Sequence, residues 1–179
     1  MERNLDYYFN QNKQNNQNNQ NNQNNQNNQN NQNNQNNKQN KNHKIKNDKY
    51  LLRFDGACRG NPGKSSAGAV LYKNNEEIWT KSMYLGDNFT NNIAEYFSLL
   101  LGLEEIVNRH ILHLEVQGDS LLVINQINGK WKVKNENLKK LHQKAKHFEK
   151  KFNYITFTHI YREGNKRADE LANQALDNL

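Results

Sequence analysis

Four acids stand where a carboxylate does more than solvate a surface: Asp55, Glu95, Asp119 and Asp169. Asp55 closes an apolar run and leads into the glycine-rich stretch of "FDGACRGNPG" (54–63). Glu95 interrupts "IAEYFSLLLGL" (93–103) with no basic residue close in sequence. Asp119 follows an alternating segment in "QGDS" (117–120), and Asp169 lies in "KRADELAN" (166–173). Singly, three of them have ordinary explanations. Asp55 can form a turn, Asp119 can cap a helix, and Asp169 can be a first-turn acid favoured by the helix dipole. Glu95 is harder to dismiss, because an unpaired buried carboxylate is costly or stays protonated. Carboxylates brought together repel, and divalent cations resolve the repulsion. Ligands that are all oxygen favour hard ions such as magnesium or manganese over zinc. A pair of such ions suits phosphoryl chemistry, one activating water and the other stabilising the leaving oxygen.

The pattern around these acids sets out the elements that must position them. "YLLRF" (50–54), "AGAVLY" (67–72) and "EIWTKSMYL" (77–85) read as three strands joined by short turns. The segment 90–110 is apolar nearly all round, which predicts a largely buried helix with Thr90 as its N-cap. A strand over 111–117, a short helix over 120–129 stopped by Gly129, and a polar helix over 136–151 follow. A strand over 153–160 and a helix over 165–179 complete the chain. The order βββαβααβα implies an α/β fold with a mixed five-stranded sheet and helices packed on both faces. In such sheets ligands gather beyond the carboxyl ends of strands. If the first and fourth strands are parallel neighbours, Asp55 and Asp119 lie side by side.

Composition divides the 179 residues in two. From Asn10 to Asn37 every residue is Asn or Gln except Lys13, in an Asn-Asn-Gln repeat. That tract has almost no apolar surface to offset the entropy of ordering. Residues 1–48 are therefore read as a disordered Asn/Gln-rich tail and Lys/Asn-rich linker, and 49–179 as one domain. A formal net charge of +7, with lysines clustered in the linker and over 130–151, favours an anionic partner such as nucleic acid. Cys58 is the only cysteine, which excludes a disulfide frame and a cysteine zinc site. No apolar run is long enough to span a membrane, and the N-terminus has no signal-peptide stretch. The expectation is an intracellular protein, nuclear or cytoplasmic, that is not secreted.

The segments "FDGACRGNPG", "TNNIAEY", "GDSLLVINQINGKWKVKN" and "REGNKRADELANQA" resemble type 1 ribonuclease H, in that family's order and over essentially all of 49–179. The resemblance implies a ribonuclease H-like fold. It also implies an endonuclease that cuts the RNA strand of RNA–DNA hybrids by a two-metal mechanism, leaving 5′-phosphate and 3′-hydroxyl ends. The same resemblance implies that Asp55, Glu95, Asp119 and Asp169 are the catalytic acids and hold two Mg2+ ions, with Mn2+ able to substitute. Asp55 would bridge both ions, Glu95 and Asp119 would complete one site, and Asp169 the other. Asn61, Asn91 and Asn92 match positions that meet the hybrid in its minor groove, where an amide suits a 2′-hydroxyl. Thr90 with Asn61 resembles a pocket for a DNA-strand phosphate. Cys58 falls at a contact position and also reads as a small buried thiol. Weak sequence preference follows from such contacts.

Several positions leave alternatives open. Relatives carry a mobile histidine or a glutamate before the last helix, and Glu163 falls near that place; it reads as the turnover residue or as a plain surface ion pair. His159 is the nearest histidine but lies in a predicted strand. Asn165 helps place Asp169 or caps the helix. Trp131 among lysines suits a DNA backbone groove or packs into the core. In the tail, Leu5, Tyr8 and Phe9 have the spacing of a sliding-clamp-binding peptide, with the repeat as a tether. The expected partner is an RNA–DNA hybrid, bound by a monomer. A related DNA nuclease or resolvase is the competing enzyme, disfavoured by "TNN" and "GNPG". A binding or condensate-forming protein is the competing class, disfavoured by four intact acids.

Overall fold

The structure is a computed structural model that describes residues 48–179. The tail, most of the linker and the Leu5, Tyr8, Phe9 peptide lie outside the described residues. Strand β1 (Tyr50–Gly60) pairs antiparallel with β2 (Gly63–Lys73), which pairs antiparallel with β3 (Glu76–Phe89). Helix α1 (Asn91–Asn108) leads to β4 (His113–Gly118), then to α2 (Leu121–Ile127) and α3 (Glu136–Glu149). Strand β5 (Tyr154–His159), a 3-10 turn (Arg162–Gly164) and α4 (Lys166–Asp177) close the chain. The sheet order is β3-β2-β1-β4-β5, with β4 parallel to both β1 and β5. The expected mixed sheet and element order are therefore present.

Interior strand β2, second in the sheet order, shows why helices cover both faces. It is buried without a break from Ser65 to Leu71, as a strand covered on two sides must be. Its middle residues are small, Ala67, Gly68 and Ala69, and the helices come close. A Cβ at Gly68 would lie 2.4 Å from both the Ala168 carbonyl oxygen and the Ala172 nitrogen of α4. On the neighbouring strand a Cβ at Gly56 would lie 2.3 Å from the Glu95 nitrogen of α1. Gly56 pairs with Ala67 and Asp55 with Gly68, so these two contacts sit on opposite sides of the sheet. Helix α1 is buried from Ile93 to Leu103, and Thr90 Oγ1 accepts the Ile93 N–H at 3.4 Å as its N-cap. Among the described residues, no helix is long and apolar enough to cross a membrane.

The strands run further than their sequence suggests. The stretch after Asp55 has the composition of a turn, yet β1 continues to Gly60 because β2 pairs with it along its whole length, Tyr50↔Lys73 to Gly60↔Gly63. Strand β4 stops earlier, its last partner on β1 being Phe54, opposite Gly118. Asp55 is thus the first β1 residue past the end of β4. The carboxyl-end crevice of the parallel pair opens there, with the hairpin projecting beyond it.

Candidate active site

Four elements converge on that crevice. Asp55 comes from β1, and Asp119 follows directly on β4. Glu95 lies in the second turn of α1, and Asp169 near the start of α4. Asp55 and Glu95 are buried, at 6% and 5% exposure, and Asp119 is half-buried. Ligand oxygens of Asp55, Glu95 and Asp119 all lie within 4.8 Å of one another. Asp169 lines the same cleft, whose volume is about 310 Å³.

Backbone contacts hold this corner in place. Ser98 Oγ donates to the Asp55 carbonyl at 2.6 Å, fastening α1 to β1 beside the acid. The Gly56 N–H donates to Glu95 Oε2 at 3.2 Å. A Cβ at Gly118 would lie 2.5 Å from the Phe54 ring, so β4 reaches Asp119 past a tightly packed aromatic. Asn165 is fully buried; its Nδ2 donates to the Phe54 carbonyl at 2.9 Å and to Asp119 Oδ1 at 2.7 Å.

Electrostatics follow from the crowding. Burial, then repulsion from Asp119 and Asp169, pushes the Asp55 carboxyl from its ordinary 3.8 up to about 8, and Arg162 acts in the opposite direction. Glu95 is held well above the usual carboxylate range by burial first, then by Asp55 and Asp119. Hydrogen bonds from the Gly56 N–H and the Asn91 side chain only partly offset this. Asp169 has a partner of its own, Arg162, at 2.7 Å. Such a set accepts positive charge and has no histidine or thiolate among its ligand atoms.

The remaining sequence candidates fall into three groups. Cys58 and Asn91 line the cleft with the acids. Cys58 Sγ also meets the Gly60 and Phe89 carbonyls and accepts from Ser65 Oγ at 3.1 Å, so it is partly buried and at the cleft wall together. Asn61 is exposed at the hairpin turn, and its Oδ1 accepts the Asn91 N–H at 3.2 Å, joining the turn to the start of α1. Thr90 spends its hydroxyl on the cap, and Asn92 is exposed beside it. Trp131 is 47% exposed, which rules out the core-packing alternative. It lies in a separate groove of about 570 Å³ with Lys132, Lys139, His142 and Lys146.

Glu163 is exposed in the 3-10 turn and does not line the acid cleft, whereas its neighbour Arg162 does. The His159 ring meets the Asp119 backbone carbonyl at 3.2 Å and stacks edge-on against Tyr161. Sequence reasoning missed Arg162; its signal was a guanidinium seven residues before Asp169, in the loop that also holds Glu163. For Asn165 the sequence offered two roles, placing Asp169 or capping the helix, and its side chain does neither directly. Asn165 is the N-cap of α4 but makes no capping bond with its side chain. Its amide reaches Asp119, not Asp169.

Residues 53–175 match the protein family described as "Reverse transcriptase-like". The chain is 38% identical over 124 residues to "Ribonuclease HI" of Halobacterium salinarum, covering 69% of this chain and 62% of that protein. It is 37% identical over 130 residues to "Bifunctional protein Rv2228c" of Mycobacterium tuberculosis, covering 72% of this chain and 36% of that protein. The chain thus spans less than two thirds of these relatives' length. The crystal structure of RNase H1 from Halobacterium salinarum NRC-1 superposes with a TM-score of 0.70 at 36% identity, over 73% of this chain and 99% of that one. LC11-RNase H1 in complex with an RNA/DNA hybrid superposes with a TM-score of 0.68 at 36% identity, over 73% of this chain and 98% of that one.

Proposed function

Because the chain belongs to the type 1 ribonuclease H family, we propose that residues 49–179 are its catalytic domain and hydrolyse the RNA strand of RNA–DNA hybrids, leaving 3′-hydroxyl and 5′-phosphate ends. The observation that carries this reading is the group of Asp55, Glu95 and Asp119, with ligand oxygens within 4.8 Å of one another and Asp169 in the same cleft. A relative bound to an RNA/DNA hybrid supports the substrate.

The donor set fits hard divalent cations. It is all oxygen, largely buried, and short of positive charge, since burial and mutual repulsion hold Asp55 and Glu95 above the ordinary carboxylate range. Asp55, Glu95 and Asp119 would hold one Mg2+ ion and Asp55 with Asp169 a second, with Mn2+ able to substitute. Asp55 is the shared corner, repelled by Asp119 and Asp169 alike. Bound there, such cations lower the pKa of a water molecule and neutralise charge on the scissile phosphate.

The chain's own residues bind and align. Asn61, Thr90, Asn91 and Asn92 form one polar edge, stitched by the Asn61–Asn91 bond, which meets the sugar edges of the minor groove and a DNA-strand phosphate. Cys58 forms the wall between that edge and the acids. Trp131 and its lysines take the DNA backbone. With the phosphodiester so placed, the water oxygen bonds to phosphorus and gives up a proton to solvent as the P–O3′ bond breaks, and the leaving 3′ oxygen takes a proton from solvent, so that one water is consumed. Arg162 neutralises Asp169 in the free protein and must yield it when a cation binds.

The experiment is cleavage of an end-labelled RNA–DNA hybrid by the full chain, beside RNA–RNA and DNA–DNA duplexes, with Mg2+, Mn2+ or chelator. Hybrid-only cutting that needs metal and vanishes in Asp119→Asn is the expected result. No cutting by the wild type under any metal overturns the reading.

A further inference from the structure

We propose that Asn165 is a positioning residue that orients the Asp119 carboxylate for cation binding, a role that rests on the reading of the cleft given above. The first observation is what Asn165 declines to do. Thr90, Ser120 and Asn135 each cap α1, α2 or α3 with a side-chain oxygen. Asn165 stands at the corresponding place before α4 and makes no such bond. A residue type favoured at caps for its side-chain oxygen has that group turned elsewhere.

The second observation is where the amide goes. Both its partners, the Phe54 carbonyl and Asp119 Oδ1, are acceptors, so Nδ2 and not Oδ1 must face them. The two bonds tie the carboxylate to the strand residue just before Asp55. The backbone completes the link, since the Asn165 carbonyl accepts the Asp169 N–H at 3.1 Å. One residue therefore connects β1, Asp119 and the start of the helix that carries Asp169. Asn165 Oδ1, meanwhile, is buried and has no partner among the described residues. A side chain kept for docking alone would not leave an acceptor stranded to give one N–H to a strand carbonyl and the other to a carboxylate.

Helix docking already has other means. Ser66 Oγ and Ser82 Oγ each donate at 2.6 Å to carbonyls of α4, those of Ala172 and Leu171. Neither touches a carboxylate of the cleft, so Ser66→Ala is the natural control.

The test uses the full chain. Mn2+ affinity is measured by calorimetry, and hybrid cleavage is followed against Mg2+ concentration, with Tm recorded for each variant. Asn165→Ala is expected to weaken Mn2+ binding and raise half-saturating Mg2+ by about tenfold or more. It should lower kcat by about the same factor with KM for the hybrid within about twofold, because it does not touch substrate. Asn165→Ser, shorter but still polar, should fall between and serves where the alanine variant does not fold. Ser66→Ala should lower Tm and leave metal affinity within about twofold. The proposal is overturned if the Asn165 variants, like Ser66→Ala, lose Tm alone, or if they raise KM with metal affinity unmoved. Metal binding that depends on Asn165 in a wild type that cuts no hybrid would sink the functional reading and leave this one standing. Normal metal binding by the variants of an active wild type would do the reverse.

Discussion

Two clefts among the described residues are made in opposite ways. The acid cleft is the smaller, about 310 Å³, and its central acid Asp55 is 6% exposed. Its position is fixed several times over, by Ser98 on the Asp55 carbonyl, Gly56 on Glu95 and Asn165 on Asp119. The Trp131 groove is larger, about 570 Å³, and Trp131 itself is 47% exposed among lysines on flexible stems. Rigid placement is what a reaction at one phosphorus atom needs. A backbone groove needs charge and a stacking face, and tolerates looseness. On the function proposed above, the contrast would divide the labour into turnover on one side and grip on the other.

Replacing a carboxylate should break the comparison most sharply. Asp55→Asn or Asp119→Asn should lower kcat by on the order of a thousandfold or more while the hybrid Kd stays within about threefold, measured by single-turnover cleavage and by binding in chelator. At the other cleft, Trp131→Ala should weaken hybrid binding by on the order of tenfold with kcat nearly unchanged. Lys132→Ala and Lys139→Ala should each flatten the salt dependence of Kd by about one phosphate contact. Equal losses of kcat at both clefts would erase the distinction.

A third prediction separates the clefts by pH. Asp55 has its folded-state pKa raised from 3.8 to about 8. Between those values the folded protein holds a proton that the unfolded chain has lost, so stability is full below about pH 4 and falls as pH rises through about 8. In chelator, Tm should therefore drop between pH 5 and 8 (about 4 and 8 bracket the window), and Mg2+ should restore it. Asp55→Asn should flatten the profile, whereas Trp131→Ala should leave it unchanged. The smallest effect belongs to Arg162. Its ion pair with Asp169 is open to solvent on the arginine side, so Arg162→Ala should move Tm by about 3 °C or less. Its mark should be tighter Mn2+ binding in the free protein, read by calorimetry.

The acid cleft was more legible in the sequence than the groove, for physical reasons. A carboxylate inside "IAEYFSLLLGL" contradicts its surroundings, and each of the other acids ends or begins an element whose periodicity is plain. Thr90 fulfilled its capping role because only local geometry decides it. Where tertiary pairing decides, sequence was a poor guide. "GACRGNPG" has the residues of a loop, and its first five extend a strand only because β2 lies alongside. The destination of the Asn165 amide depends on β1 and β4, which are remote in sequence. Trp131 reads equally as core or surface until α3 is in place. Arg162, one residue from Glu163, faces the acids because of the 3-10 turn, which has no strong local signature.

Gly68 has no chemistry to offer, yet it acts as a spacer of zero thickness between the sheet and α4. One methyl group there would meet two backbone atoms of the helix at 2.4 Å, and backbone cannot step aside as a side-chain tip can. The helix would have to lift, and Asp169, next in line to Ala168, would lift with it. A displacement of about 1 Å is enough to cost a reaction dearly. The tolerances of the acid corner are thus set partly by an atom that is missing from the middle of a neighbouring strand, and mutational freedom at this inert position should be as narrow as at an acid.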